Sequence, residues 1–237
     1  MRSVDVSVRR RRPEAMDDPE LDIVRHDHAL HGLARINVLS GTVGALWGAL
    51  APLREASRGA KLRILDVASG GGDVPLGLWR RFRRAGADVE IVGTDVSAAA
   101  VAFAANRAQA LGASVEFRQL DAVDCELPTG FDAITCSLFL HHLDGGDAER
   151  FLTKLRAASP QTIVIDDLDR SRRGHFLARV IPRLISRSDV VHVDATRSVE
   201  GAFTVDEMRA LATRCGLVGA RIVRRFPCRW SLTWSAP

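Results

Sequence analysis

Arg63-Ile64-Leu65-Asp66-Val67-Ala68-Ser69-Gly70-Gly71-Gly72-Asp73-Val74-Pro75 decides how the 237-residue chain is read. An apolar, β-type run (Ile64, Leu65, Val67) feeds a turn of small residues. The turn opens onto apolar positions at helical spacing, Val74, Leu76, Leu78, Trp79 and Phe82. The pattern is strand, glycine-rich turn, helix. Consecutive glycines let the backbone take φ > 0 and let a ligand approach where a Cβ would collide. The first N–H groups of the following helix are unpaired and aim at whatever lies over the turn, which suits a nucleotide-like ligand.

Two phosphate-binding readings fail on detail. The dinucleotide pattern G-x-G-x-x-G would need a third glycine where Pro75 stands, and a P-loop needs Gly-Lys-Ser/Thr, whereas the only lysines are Lys61 and Lys154. What remains is Asp66 at the strand's end, followed by Ala68, Gly70 and Gly72. This spacing resembles the first motif, D/E-x-G-x-G-x-G, of the class I S-adenosylmethionine-dependent methyltransferases, with Ala68 in place of the first glycine.

Later segments agree with that resemblance. From Arg63 onward strand and helix patterns alternate, the signature of a parallel sheet with helices on both faces. A second strand, Val89 to Thr94, ends at Asp95, one strand-turn-helix unit past the glycines. That placement brings its carboxylate to the edge of the sheet where the turn lies, within reach of ribose hydroxyls, although it could equally cap the helix starting at Ser97. A third strand, Ser114 to Leu120, ends at Asp121-Ala122. A fourth, Phe131 to Cys136, runs into Ser137-Leu138-Phe139-Leu140-His141-His142-Leu143, and a fifth, Thr162 to Ile165, ends in Asp166-Asp167. The F-D-x-hydrophobic strand with its His-His-Leu turn resembles the small-molecule branch, which includes ubiquinone, menaquinone and polyketide-tailoring methyltransferases. The Asn/Asp-Pro-Pro-aromatic motif of nucleic-acid amino methyltransferases is missing. The resemblance covers residues 60–236. It implies a Rossmann-like α/β fold with seven mostly parallel strands, S-adenosyl-L-methionine as cofactor and S-adenosyl-L-homocysteine as product. It also implies a cofactor site of Asp66, Ala68, Ser69, Gly70, Gly72, Asp95, Val96, Asp121, Ala122 and Ser137.

A sulfonium methyl is already activated, so alignment and exclusion of water suffice and no metal is required. A phenol or enol acceptor needs a base, and histidine suits that role. His142 is the first candidate, with His141 beside it and His192 in the polar connection Ser186–Gly201, read as a substrate lid. Either member of the pair could instead cap or pack under the next helix. The expected reaction is O-methylation of a phenolic, polyketide-like or quinone-precursor metabolite. The alternatives are C-methylation of a quinone-type ring and a non-catalytic protein that only holds the cofactor.

The remaining features set bounds. The net charge of +4 resides in residues 1–12, where five arginines stand against Asp5, so the body from residue 13 is neutral and shows no nucleic-acid footprint. Residues 1–20 read as a disordered basic and acidic tail without a secretory or twin-arginine core, residues 21–58 as an N-terminal helical cover, and 59–237 as the cofactor-binding domain. The uncharged run 36–53 is interrupted by Gly41, Gly44, Gly48 and Pro52, which favours a bent helix or hairpin over a membrane span. Val38, Leu39, Leu46, Trp47 and Leu50 of this cover, with Arg170, Arg172, Arg173, Arg183 and Arg187, suggest an aromatic or acyl acceptor with an acidic group. The arginines also fit a solvated helix face. Cys125, Cys136, Cys215 and Cys228 lack metal or disulfide spacing, and His26, Asp27, His28 and His31 are left without a metal assignment. A cytoplasmic protein, monomeric or homodimeric, from a GC-rich bacterial secondary metabolism is the expectation, with no nucleic-acid partner and no stable membrane insertion.

Overall fold

The computed structural model describes residues 5–15, 22, 24–25, 28–29, 32, 40–158 and 160–236. His26, Asp27, His31, Val38 and Leu39 lie outside them, so expectations on those residues are not addressed. His28 is exposed.

Seven strands form one sheet: β1 (Leu62–Val67), β2 (Val89–Asp95), β3 (Val115–Gln119), β4 (Ala133–Ser137), β5 (Thr162–Leu168), β6 (Arg221–Arg225) and β7 (Arg229–Ser235), in the order β3-β2-β1-β4-β5-β7-β6. The first five run parallel, and β7 pairs antiparallel with both β5 and β6. This is the Rossmann-like sheet with a terminal hairpin that the sequence pattern implies. Strand alternation divides the core in two. Leu62 and Ile64 of β1 pack on one face with Ile91, Ala133 and Val164, while Leu65 and Val67 pack on the other with Val92, Ile134 and Ile165. Both faces are buried, which is why these strands read as continuous apolar runs.

The described helices clothe the two faces. On the Ile64 face lie α1 (Thr42–Ala49), α2 (Ala51–Ala56), α3 (Asp73–Arg84) and α4 (Ala98–Ala110); on the other, α5 (Gly145–Ala157) and α8 (Val205–Arg214), with α6 (Arg172–Ile185) and α7 (Asp189–Gly201) beyond. Within the segment expected to form an N-terminal cover, the described residues 42–56 make α1 and α2, and Leu46, Trp47 and Leu50 pack onto the core. Leu46 and Leu50 are fully buried in the core, and the Trp47 ring meets Phe82 edge-on at 4.9 Å. Caps fall where the side chains direct them: Ser97 accepts from Ala100 N–H, Ser171 from Gly174 N–H, and Thr204 with Glu207 makes a full capping box.

One segment departs from the sequence reading. Residues 189–201 are a regular helix, not a polar connection, with Ser188 as N-cap and Val190, Val191, Asp194, Ser198 and Val199 on its buried face. The recurrence at i, i+4 and i+8 is helical, but four valines and three acidic residues hide it in composition. No described helix is long and apolar enough to cross a membrane.

Candidate active site at the carboxyl edge of the sheet

The glycine turn follows β1 and is braced from beneath. Asp66 is buried, and its carboxyl accepts from Thr135 Oγ1 at 2.5 Å and Ser69 Oγ at 3.0 Å, tying the turn to β4. Burial pushes this carboxyl up to about 7, against the two hydroxyl bonds that favour its ionised form. Gly72 has φ +77°, and a Cβ there would stand 2.8 Å from the Phe117 ring and 3.0 Å from Ala104. Over Gly70, by contrast, the space is open. Ala68 also lies in the left-handed region, at φ 56°. It has the backbone the missing glycine would have taken, at the cost of a crowded Cβ.

Asp95 ends β2 beside this turn and accepts from Gly70 N–H at 2.8 Å and Ser97 N–H at 3.0 Å. Each of its oxygens keeps a second lone pair at the rim. The alternative role open to Asp95, as cap of the following helix, belongs to Ser97. Val96 next to it is 60% exposed, an apolar side chain with nothing over it where a flat base would lie. Asp121 is fixed by a turn in which its Oδ1 accepts from Val123 and Asp124 N–H groups, and Ala122 is buried beside it. Ser137 is half-buried at the end of β4. Open backbone, an acidic rim and an apolar platform together fit an adenosyl group.

Past β4 the chain turns at Leu138, a non-glycine residue at φ 55°, and enters a 3₁₀ turn over Leu140–His142. His141 is 5% exposed, and its Nδ1 lies 2.7 Å from Asp167 Oδ1. Burial would raise the Asp167 carboxyl. The charge and hydrogen bond of His141, with the Leu168 N–H and Arg229, hold it below the ordinary carboxylate value. When His141 is neutral with its hydrogen on Nδ1 toward Asp167, its Nε2 lone pair faces outward. The His142 ring lies against that of His141, centroids 4.3 Å apart. His192 does not join them. It is in the first turn of α7, its Nε2 is 2.7 Å from Ser186 O, and nine residues of helix, about 13 Å, separate it from the end of α7 at Gly201 that packs on His141.

The principal surprise is the N-terminal segment. Residues 5–15, read from composition as part of a solvated tail, run beside α7 and close over the histidine turn. Arg9 Nε donates to Gly201 O at 2.6 Å and its guanidinium also reaches Leu140 O and lies over the Phe203 ring, while Arg11 donates to His142 O at 2.7 Å. The reason is physical. The carbonyls at the end of a helix or 3₁₀ turn lack partners, and arginines supply donors to them. Burial lowers Arg9 to about 10. Glu14 accepts from Ser198 Oγ at 2.5 Å, and its two oxygens stand 3.6 Å from His141 Nε2 and 3.8 Å from His142 Nε2. Gly201 has no room for a side chain, since a Cβ would meet His141 O at 2.7 Å. Glu14, Thr135 and Gly201 were not visible as site residues in the sequence.

The other charged candidates have structural partners. Asp166, fully buried, pairs with Arg225 and Arg229 and accepts from Ser231 Oγ, and the two arginines reach up to Gly41 O and Ser40 Oγ of the cover. Arg170 clamps Glu207 and Ala202 O. Arg172, Arg173, Arg183 and Arg187 are exposed. All four cysteines are free.

Known proteins share this arrangement. The family model described as a methyltransferase domain matches residues 64–159. Demethylmenaquinone methyltransferase of Thermus thermophilus is 36% identical over 109 residues, 45% of this chain and 48% of that protein, so the chain matches about half the length of that curated relative. Among solved structures, magnesium protoporphyrin IX methyltransferase of Synechocystis PCC 6803, with bound S-adenosylhomocysteine, superposes with a TM-score of 0.58 at 16% identity, covering 93% of this chain and 90% of that one. A putative O-methyltransferase of Nostoc punctiforme PCC 73102 gives 0.57 at 16% identity, covering 90% and 70%. At such identities the likeness carries the fold. Residues 64–159 thus match a methyltransferase domain, set in a chain with the Rossmann-like fold that these solved methyltransferase structures share.

Proposed function

We propose that the chain transfers a methyl group from S-adenosylmethionine to a small molecule, by O-methylation of a phenolic, polyketide-like or quinone-precursor acceptor. The observation that carries this reading is the histidine pair, with His141 held by Asp167 and His142 stacked on it, on the turn that follows β4, the strand paired with β1 and hence next to the glycine turn. The cofactor supplies a methyl group on a positively charged sulfur, activated without further chemistry. The chain's own residues then have three tasks. Asp95 binds ribose hydroxyls, Val96 and Ala122 border the base, and the open backbone at Gly70 admits the amino-acid end. The N-terminal segment and α7 exclude water from the acceptor edge, which strengthens every polar contact there. His142, less buried than His141, meets the acceptor and takes its proton at an imidazole nitrogen.

A second reading, methylation of a quinone-type ring at carbon, is favoured by the identity to demethylmenaquinone methyltransferase. Transfer of an isotopically labelled methyl group separates the two, since an ether carbon and a ring methyl differ in their chemical shift.

Calorimetric titration with S-adenosylmethionine and S-adenosylhomocysteine tests the core of the proposal. Micromolar binding is expected, weakened by at least about 100-fold in Asp95→Ala, because two charge-assisted hydrogen bonds of roughly 1.5 kcal/mol or more each are lost. Absence of binding in a folded wild-type protein would defeat the proposal.

A further inference from the structure

Glu14, His141 and His142 bring three metal-competent groups to one place. One ligand atom from each lies within 4.8 Å of the others. The carboxylate-to-imidazole distances, 3.6 and 3.8 Å, are too long for hydrogen bonds, whose N···O separations run from about 2.7 to 3.2 Å. They are close to the spacing of donors around a shared cation. Ligands about 2.1 Å from a tetrahedral zinc ion stand roughly 3.4 Å apart, so the two carboxylate-to-imidazole contacts, one to each carboxylate oxygen, close by a few tenths of an ångström, and the two imidazole nitrogens, within 4.8 Å of each other, draw together by up to about 1.4 Å. The donors are also mostly buried, with side-chain exposures of 11%, 4% and 26% for Glu14, His141 and His142.

The surroundings point the same way. Metal-bound histidines almost always give their second ring N–H to a carboxylate or carbonyl, which fixes the tautomer and raises ligand basicity. His141 has that partner in Asp167, which leaves Nε2 as the donor atom facing Glu14. The Glu14 carboxylate is held in turn by Ser198 Oγ. Two imidazole nitrogens converge on one carboxylate, an arrangement in which one divalent cation can be bound by all three groups.

We propose that Glu14, His141 and His142 form a binding site for a divalent transition-metal cation of the zinc type. Three protein ligands leave one coordination position open, the pattern of catalytic rather than structural zinc sites. At the acceptor edge that position suits a phenolic or enolic oxygen, whose ionisation the bound cation would favour directly, in place of proton transfer to the Nε2 of His142. Cation binding stands on the geometry alone, while this role toward the acceptor rests on the methyltransferase reading.

The test uses the full chain, stripped with a chelator and titrated calorimetrically with Zn²⁺, and with Co²⁺ to read the ligand field in the visible spectrum. One Zn²⁺ per chain is expected. Ser198→Ala, which removes an outer partner only, should weaken it about tenfold, and Glu14→Gln and His142→Ala by more than about 100-fold each. Neither Glu14 nor His142 is in the core, and circular dichroism checks that the variants are folded. No 1:1 binding overturns the proposal, and so does undiminished affinity in Glu14→Gln and His142→Ala, which would place the cation elsewhere, for instance at His28. S-adenosylhomocysteine titrated into the same samples keeps the two readings apart. Retained cofactor binding without Zn²⁺ removes the metal site only, and retained Zn²⁺ without cofactor binding removes the methyltransferase reading only.

Discussion

The two halves of the sheet's carboxyl edge are built on different principles. On the donor half, the turn after β1 and the end of β2 are joined by the bond from Gly70 N–H to Asp95, across 25 residues of one strand-turn-helix unit. On the acceptor half, the histidine turn is closed by an arginine that bonds Gly201 O across 192 residues of sequence. The first half is a local motif with fixed spacing, the second an assembly of remote segments. The donor half therefore holds its shape through backbone geometry and a buried carboxyl, and the acceptor half through charged side chains reaching orphan carbonyls. Changing one half should leave the other intact.

The largest expected effect is on the donor half and comes from Asp66. Its carboxyl is pushed from the ordinary 3.8 up to about 7 by burial, so the folded state holds a proton that the unfolded chain releases. Stability therefore carries a contribution fully present below about pH 4, which is lost as pH rises through about 7, since the unfolded state binds fewer protons in that window. A shift of this size corresponds to about 4 kcal/mol. Asp66→Asn keeps the shape of the protonated acid and removes the titration. Urea unfolding at pH 5, 7 and 9 should show wild-type stability falling with pH and a flatter profile in the variant. Parallel profiles would mean that the Thr135 and Ser69 bonds keep Asp66 ionised throughout.

A smaller effect is expected on the acceptor half. Arg9→Ala removes donors to Gly201 and Leu140 and the stacking on Phe203. A loss of about 1–2 kcal/mol in stability is expected, alongside a drop in acceptor turnover and unchanged S-adenosylhomocysteine affinity. Calorimetry with the product and a turnover assay on the same preparation decide it. A parallel loss of cofactor affinity would show that the two halves are not independent.

The same division explains what could be read from the sequence. β1, the glycine turn and the place of Asp95 were legible because each is a spacing rule acting over a few residues or one βαβ unit. Glu14 was not, because nothing within its own neighbourhood says that it will meet two histidines more than a hundred residues on. The arginine run misled for a related reason. Composition registers charge, and charge in a short terminal stretch reads as solvated, whereas the acceptors for Arg9 and Arg11 are carbonyls that exist only once α7 and the 3₁₀ turn have formed. α7 itself was obscured by its valines, whose intrinsic preference is overridden by burial, Val190 and Val191 clustering with Ala29. His192 was misplaced with it, since a lid loop could bring it to the acceptor and a rigid helix holds it away.

The smallest expected effect sharpens the donor half further and concerns the one place where its motif departs from the pattern it resembles. Ala68 has φ 56°, a conformation that costs an L residue roughly 1–2 kcal/mol. Glycine would remove that strain but would lose about 0.5–1 kcal/mol more conformational entropy on folding. The difference predicts that Ala68→Gly stabilises the protein by about 0.5 kcal/mol, visible as a small rise in the urea midpoint at constant slope. If the strained alanine also keeps the turn slightly away from its best shape for a ligand, S-adenosylhomocysteine affinity should rise in the same variant. A rise in stability without a gain in affinity would show that the alanine's cost falls on the scaffold alone. A fall in stability would mean that the Ala68 methyl packs well enough to outweigh its backbone, and the turn would then be adapted to alanine rather than strained by it.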